Sequence, residues 1–294
     1  MDPRLATDLL AELGAGTLRE VIPSTLGEPL LWAGLEALVD ACAAHRVRLN
    51  VTTNGTWPGR GGRRWGERLA PVASDVKISW NGATAATAQA IMAGLDFAAA
   101  VEGVRGFASA RDEVARRTGH RCRLSFQVTA QAGNVDELGA LVALAASLSV
   151  DRVKVNQLQP RVPALEARAL PASEAGRASW GRAVEAMRRS AAEAAAAGRP
   201  VELENVTPFP PPGAAPAPPR PCPFLGREAW VLADGRFAPC PHPAAWRGEL
   251  GDFGAVGARP LLDIWGGPAL ARLATGRQDH PPCQGCPLRR PGGA

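Results

Sequence analysis

Hydrophobic and polar positions follow two different periods along the first two hundred residues. Apolar residues three or four positions apart predict helices, and short stretches in which apolar and polar residues alternate predict strands. Alternating strands and helices are typical of βαβ units and of a parallel sheet. The predicted strands are residues 19–24, 47–52, 75–80, 121–129, 151–157 and 201–204, and the predicted helices are residues 3–13, 32–45, 64–69, 85–92, 97–117, 135–147 and 172–197.

One face of the predicted strands is consistently polar. In the third strand Lys77 and Ser79 alternate with Val76 and Ile78, and the next two strands alternate in the same way. Parallel strands covered by helices are normally apolar on both faces, and the interior of a closed barrel is normally apolar as well. The pattern predicts an open barrel with a wet, ligand-holding cavity; the alternative is a polar face that is merely exposed to solvent.

Residues 208–221 are dense in proline, which predicts an extended and stiff linker. The resulting fold class is α/β, a partial (β/α)6 open barrel followed by a small cysteine-rich domain. The predicted boundaries are residues 1–207 for the partial barrel, 208–221 for the linker and 222–290 for the cysteine-rich domain.

Composition narrows the function classes. The net charge is +5, but the arginines are scattered without a long basic run, so no nucleic-acid partner is predicted. The N-terminal residues carry acidic side chains in a helical pattern, and no apolar run is long enough to span a bilayer. We therefore expect no membrane association and a cytoplasmic location.

Four of the six cysteines lie in the last quarter of the chain: Cys222, Cys240, Cys283 and Cys286. In a reducing compartment, clustered cysteines favour metal binding over disulfides. Four thiolates satisfy either one [4Fe–4S] cluster or a structural zinc ion, and the Cys-x-x-Cys pair supplies two ligands from one turn. Both alternatives stay open on the residues alone, whereas the isolated Cys42 and Cys122 are predicted to be buried apolar residues.

Polar loops follow the first three predicted strands. They are Gly27-Glu28-Pro29-Leu30-Leu31, Thr52-Thr53-Asn54-Gly55 and Ser79-Trp80-Asn81-Gly82. The carboxyl ends of parallel strands are where such folds bind ligands. Three polar loops in a row predict a ligand site at this end of the sheet.

These loops, taken in order with the C-terminal cysteines, resemble a radical S-adenosylmethionine (SAM) enzyme with a SPASM or twitch type of auxiliary cluster domain. The resemblance covers about residues 1–160 and 221–288. It implies that the motif around Glu28 contacts the SAM amino group and that residues on the third and fourth strands lie near its ribose or carboxylate. The cofactor-binding residues expected on this basis are Gly27, Glu28, Pro29, Asn54, Ser79, Asn81 and Gln127, and the expected metal ligands are Cys222, Cys240, Cys283 and Cys286.

The resemblance implies reductive cleavage of SAM, hydrogen abstraction from a peptide, protein or small-molecule substrate, and an external electron donor. It assigns no catalytic residue. The family's first barrel strand and the Cys-x-x-x-Cys-x-x-Cys loop after it, which holds the catalytic cluster, are absent from the 294 residues, so the resemblance implies a TIM-like barrel that lacks its first strand. We therefore expect a start upstream of Met1, a fragment, or a loss of the chemistry. In the last case the alternative function is a non-catalytic iron–sulfur or zinc-binding scaffold.

Overall fold

A computed structural model describes residues 1–23, 27–160, 162–211, 213 and 220–289 of the protein. Ser24, Leu26, Arg290 and much of the predicted proline-rich linker lie outside the described residues. The chain divides into two compact units. We call Glu20–Leu35 with Arg48–Ala214 the sheet unit, and Met1–Arg19 with Glu36–Val47 and Ala215–Ala294 the cysteine unit.

The sheet unit contains six parallel strands whose order in space equals their order in the chain. This singly wound, parallel order confirms the predicted α/β fold class. The cysteine unit contains a two-stranded antiparallel hairpin. The strands are β1 (Glu20–Val21), β2 (Arg48–Thr53), β3 (Ala73–Ser79), β4 (Arg123–Ala130), β5 (Arg152–Gln157), β6 (Glu202–Glu204), β7 (Trp230–Val231) and β8 (Phe237–Ala238).

Helices follow the strands at nearly all the predicted places. They are α1 (Pro3–Thr17), α2 (Leu35–His45), α3 (Gly61–Leu69), α4 (Ala85–Ile91), α5 (Phe97–Thr118), α6 (Leu138–Ser147), α7 (Glu174–Ala196), α8 (Pro243–Trp246), α9 (Leu261–Trp265), α10 (Pro268–Gly276) and α11 (Pro281–Gln284). Side chains cap several of them; the Asp96 carboxylate, for example, accepts a hydrogen bond from Ala99 N at the start of α5. Among the described residues, none of these helices combines the length and the apolar character needed to cross a lipid bilayer.

The apolar face of the sheet forms the core of the sheet unit. Val76, Ile78, Leu124 and Phe126 are fully buried, and the ring of Trp80 stacks on Phe126 with centroids 4.7 Å apart. The opposite face carries the polar side chains that the alternation predicted, because residues paired across parallel strands point to the same side. This separation places every titratable side chain of β3 on one face of the sheet.

The core of the cysteine unit is built from distant parts of the chain. Leu5, Leu9 and Leu13 of α1 pack against the buried cluster that includes Phe237 and Ile264. The Glu12 carboxylate also accepts a hydrogen bond of 2.7 Å from Leu261 N, where α9 begins. Helix α1 therefore belongs structurally with the C-terminal segment, and the sequence-based division had grouped it with the barrel.

Candidate functional site

Four half-buried thiols line one pocket of the cysteine unit. They are Cys222, Cys240, Cys283 and Cys286, and none is in a disulfide. Phe224, Leu225, Leu250, Leu273 and Leu288 supply apolar walls, while Arg277 and Arg289 add two guanidinium groups. The structure thus gathers the four cysteines that the sequence singled out, although they come from three separate segments of the chain.

The β7–β8 hairpin positions the second cysteine. Its turn needs glycine at position 235, where φ is +86°. The Asp234 carboxylate accepts a hydrogen bond of 3.1 Å from Arg236 N, and Leu232 N and Gly235 N close the turn with backbone bonds. Cys240 follows two residues after the hairpin and is held at the pocket by this turn.

The other cysteines lie on short turns of backbone. Cys283 belongs to α11, and its N–H donates to His280 O at 2.9 Å. Cys286 comes just after that helix. Close to the first cysteine, Leu225 N donates to the sulfur of Cys222 at 3.4 Å. This bond fixes the position of that sulfur relative to the backbone that follows it.

The pocket disfavours several free thiolates at once. Burial raises the pKa of Cys240 to about 11, and repulsion from the other three cysteines adds to this. Burial also raises the pKa of Cys283, whereas Arg289 and Arg277 act in the opposite direction. Such thiols ionise together only when a positively charged group binds among them, because a coordinated thiol is deprotonated by its metal.

The donor chemistry of the pocket suits a thiolate-bound metal group. Within the described part of the chain, no three His, Cys, Asp or Glu side chains are grouped closely enough to hold one metal ion as they stand. Four thiols are the ligand set of one [4Fe–4S] cluster and also of a structural zinc ion. The four cysteines and the apolar walls of their pocket therefore fit an iron–sulfur cluster by donor type.

His242 lies beside these cysteines and has a structural role. Its Nδ1 accepts a hydrogen bond of 3.2 Å from Ala244 N and caps the start of α8. The side chain also lines the cysteine pocket.

A charged network fills the amino-terminal part of the polar face in the sheet unit. Arg152 pairs with Asp75 and, at 2.8 Å, with Glu204, while Ser125 donates to Asp75 at 2.8 Å. Lys154 contacts the other oxygen of Glu204 at 3.0 Å. Burial still raises the pKa of Asp75, with Ser125 and Arg152 opposing that effect. These groups largely satisfy one another.

Glu28 makes structural contacts at the carboxyl end of β2. Its carboxylate accepts hydrogen bonds from Leu30 N at 3.1 Å, from Thr53 Oγ1 at 2.8 Å and from Asn54 N at 2.7 Å. Gly27 precedes it at φ +94°, a conformation that other residues avoid. Pro29 starts a 3₁₀ turn. The structure brings these four predicted residues together into one loop pair.

The Asn54 side chain also has a local role. Its Oδ1 accepts hydrogen bonds from Thr56 N at 2.9 Å and from Thr56 Oγ1 at 2.7 Å. This closes the Thr-Thr-Asn-Gly turn.

Ser79 and Gln127 are register partners on β3 and β4, and Gln127 is in turn the partner of Lys154 on β5. Ser79 and Gln127 are half-buried, and neither side chain is hydrogen-bonded within the described residues. Their whole side-chain hydrogen-bonding capacity is therefore open to a ligand, whereas Glu28, Asn54 and Asn81 already use part of theirs.

Asn81 holds two strand ends together. Its Oδ1 accepts a hydrogen bond of 2.8 Å from Thr129 N. The buried Asn134 then donates to both Asn81 O and Thr129 O at 3.0 Å. Sequence reasoning missed Asn134, which lies 53 positions from Asn81 and carries no local motif.

The same loop is tied down by Glu137. Its carboxylate accepts hydrogen bonds from Ala83 N at 2.9 Å, Thr84 Oγ1 at 2.9 Å and Thr87 Oγ1 at 2.6 Å at the start of α4. These bonds lower the pKa of Glu137 although burial acts in the opposite direction. The loops around the predicted ligand site are thus rigidly positioned by the chain itself.

Known proteins resemble this chain at two levels: a family of domains matches the C-terminal segment, and solved structures match nearly the whole chain. Residues 222–287 match the SPASM family, an iron–sulfur cluster-binding domain. No curated protein matches the chain significantly. Among solved structures, SuiB of Streptococcus suis is 14% identical with a TM-score of 0.64, and the match covers 94% of this chain and 62% of SuiB.

Two further structures show the same fold with molecules bound. SuiB with its precursor peptide SuiA matches at 14% identity and a TM-score of 0.61, over 94% of this chain and 60% of SuiB. The structure of hexahistidine-tagged anSMEcpe with bound AdoMet matches at 13% identity and a TM-score of 0.56, over 92% of this chain and 73% of that one. The chain therefore spans less than two thirds of the length of SuiB, carries a SPASM iron–sulfur cluster-binding domain at residues 222–287, and has the fold of radical SAM enzymes of the SPASM type.

Proposed function

We propose that the protein is a radical SAM enzyme of the auxiliary-cluster type and that its C-terminal cysteines hold one [4Fe–4S] cluster. The observation that carries this proposal is the single pocket lined by four free thiols within the segment that matches the iron–sulfur family. Cys222, Cys240, Cys283 and Cys286 are the proposed ligands. In this proposal residues 222–290 form the cluster domain, with α1 packed on its core, residues 208–221 form the linker, and the SAM-binding part lies within residues 1–207, on the segments that belong to the sheet unit.

Four protein ligands decide what the cluster does. A [4Fe–4S] cluster held by Cys222, Cys240, Cys283 and Cys286 would supply one-electron redox chemistry and not a site for substrate. The cysteines hold it, the apolar walls exclude water, and an external electron donor exchanges electrons with it. The proposed location is the cytoplasm, where thiols stay reduced.

The polar face of the sheet unit is the proposed SAM and substrate site. Ser79 and Gln127 present free hydrogen-bonding groups on neighbouring strands, suited to a ribose or a carboxylate. Glu28 retains acceptor capacity for the SAM amino group, because a carboxylate has about four lone-pair positions and three are used here. Gly27, Pro29, Asn54 and Asn81 shape the loops around that site. Proteins with this fold have been solved with SAM bound, which supports the assignment.

A peptide is the proposed substrate class, and hydrogen abstraction is the proposed reaction class. SuiB with its bound precursor peptide supports a peptide substrate for this chain. A protein or a small molecule is the other possibility that the polar cavity admits.

A second candidate function is a non-catalytic scaffold that binds a cluster. It is favoured by one observation: all the described residues that line the thiol pocket belong to the cysteine unit, so that cluster binding needs no group of the sheet unit. Both candidates bind the auxiliary cluster. Only the first also cleaves SAM, and that reaction requires the three-cysteine loop that holds a catalytic cluster.

Anaerobic purification with iron and sulfide analysis tests the cluster. We expect about four irons and four sulfides per chain, an EPR signal on reduction, and no 5′-deoxyadenosine from SAM and dithionite with these 294 residues. Zinc without iron would contradict the cluster, and 5′-deoxyadenosine formation would contradict the expected inactivity of this chain. Equilibrium binding of SAM to the wild type and to Gln127→Ala tests the barrel site separately, with weaker binding expected for the variant.

A further inference from the structure

Arg289 joins the two chain segments that carry the cysteine ligands. Its Nε donates to Arg220 O at 2.8 Å, and its Nη1 donates to Cys283 O at 3.1 Å. In return, Arg220 N donates to Arg289 O at 2.9 Å. The guanidinium group therefore connects the backbone just before Cys222 with the backbone of Cys283.

The charge of Arg289 has a second consequence. Its side chain and that of Arg277 line the cysteine pocket, and no Asp or Glu is among the described residues that line it. A cluster with four thiolate ligands is an anion, and reduction adds one more negative charge. By Coulomb's law, a fixed cation beside such a group favours the reduced state, and partial exclusion of water strengthens the effect.

We propose that Arg289 is a positioning residue that fixes the geometry of the ligand segments, and that Arg289 and Arg277 together raise the reduction potential of the bound cluster. This inference rests on the proposed auxiliary cluster. Arg277 makes no side-chain hydrogen bond within the described residues, so it contributes charge without the connection. The two roles are therefore separable by substitution.

Four variants separate charge from connection. Arg277→Gln removes a charge and keeps the connection, while Arg289→Lys keeps the charge but cannot reproduce two bonds from one rigid planar group. Arg289→Gln removes both. Arg272→Gln is the matched control, because Arg272 is exposed on α10 and does not line the cysteine pocket.

Two measurements are made on each anaerobically reconstituted full-length protein: iron per chain, and the midpoint potential from an EPR-monitored redox titration. For Arg277→Gln we expect full iron content. At a fixed solution potential, the ratio of reduced to oxidised cluster should be about tenfold lower than in the wild type. This equals a shift of the midpoint potential by about −59 mV for a one-electron couple. Arg289→Lys should lose iron during gel filtration while its remaining cluster keeps the wild-type potential. Arg289→Gln should show both changes, and Arg272→Gln neither.

A different result would contradict each of the two roles and the cluster itself. Wild-type potentials in Arg277→Gln and Arg289→Gln would overturn the electrostatic role, and so would an equal shift in Arg272→Gln. Full iron retention in Arg289→Lys and Arg289→Gln would overturn the positioning role. Wild-type protein that binds no iron would instead refute the proposed cluster itself, so the two failures are distinguishable.

Discussion

Ionisable groups gather in both units, but they are balanced in different ways. In the sheet unit, Asp75 pairs with Arg152, and Glu204 contacts Arg152 and Lys154. In the cysteine unit, four groups of the same kind share a pocket, and their mutual repulsion adds to the effect of burial in raising the pKa of Cys240. Opposite charges of the chain itself complete the first cluster, whereas the described residues that line the second set only Arg277 and Arg289 against four thiols, which leaves a place for a positively charged group from outside the chain.

This difference separates a structural polar cluster from a binding site. A network whose members satisfy one another stabilises the fold, and its disruption should appear as a loss of stability. A group of like ligands adds no such stability by itself and should reveal its role through metal content. Substitutions in the polar network of the sheet unit are therefore expected to lower stability, and substitutions of the four cysteines to lower metal content.

The largest effect is expected from Cys240→Ser in the cysteine unit. Loss of one of four ligands should reduce bound iron to a small fraction of the wild-type content, because the cluster loses its attachment to one iron. The measurement is iron and sulfide per chain after anaerobic reconstitution. Cys42→Ala is the control: Cys42 is fully buried and burial raises its thiol pKa to about 11.

The control variant should keep full iron and lose only about 1 kcal/mol of stability through the small cavity that it leaves. Equal iron content in Cys240→Ser and Cys42→Ala would contradict the proposal that Cys240 is a ligand and Cys42 only a packing residue.

The second largest effect is expected from Arg152→Met in the sheet unit. The substitution leaves the buried Asp75 without its cationic partner and removes one partner of Glu204. Breaking a buried ion pair from one side should lower the free energy of unfolding by about 3–5 kcal/mol. Urea unfolding followed by tryptophan fluorescence measures this change.

Arg105→Met is the matched control for that comparison. Arg105 pairs with Glu102 three positions away on the exposed surface of α5. Such pairs are worth less than about 1 kcal/mol. If both variants lose the same stability, the network on the polar face is not a structural core.

The repeating pattern of the sheet was predictable because it is local. The predicted strand at residues 75–80 is observed as Ala73–Ser79, and the predicted helix at 97–117 as Phe97–Thr118. Alternation along β3 also predicted its polar face. The first strand was predicted at 19–24, and within the described residues it is observed at Glu20–Val21, where it pairs with Arg48 and Leu49 of β2.

Contacts between distant residues were not predictable from the pattern. The stripe of Leu5, Leu9 and Leu13 shows that α1 is amphipathic, but it does not show which core the helix joins. Likewise, the motif around Glu28 indicated a ligand contact, and the structure shows that the carboxylate also holds Thr53 and the backbone of Asn54. The four cysteines could be predicted to come together because few structures other than a metal site need four clustered thiols.

A smaller effect is expected from Glu28→Gln, which tests whether that carboxylate is structural. A glutamine side chain offers only one oxygen, so its NH₂ group would face one of the three donors. Loss of that bond should lower the free energy of unfolding by about 1–3 kcal/mol in the absence of any ligand. Urea unfolding of the ligand-free protein checks this expectation.

Glu67→Gln provides the reference for that substitution. Glu67 forms an exposed pair with Arg63 at 3.2 Å on α3, worth about 0.5 kcal/mol or less. A ligand-free Glu28→Gln protein as stable as Glu67→Gln would indicate that Glu28 serves ligand binding alone.

The smallest effect concerns Lys77, which lies on the polar face without a hydrogen bond or ion pair within the described residues. Burial lowers its pKa from the ordinary 10.5; Asp75 opposes this and Lys154 adds to it. Between the lowered pKa and 10.5 the unfolded chain binds a proton that the folded chain lacks, so folding becomes more favourable as pH rises. The stability of the wild type relative to Lys77→Met should therefore increase as the pH rises through the range just below 10.5.

Lys77→Arg makes this test specific, because arginine stays charged over the whole range. Its stability relative to Lys77→Met should show no rise with pH, and thiols common to all three proteins cancel in the differences. The chain contains no tyrosine, so no phenol titrates in this range. A pH-independent difference between the wild type and Lys77→Met would mean that the Lys77 ammonium group is solvated in the folded protein, and the polar face would then hold no buried, unpaired charge at this position.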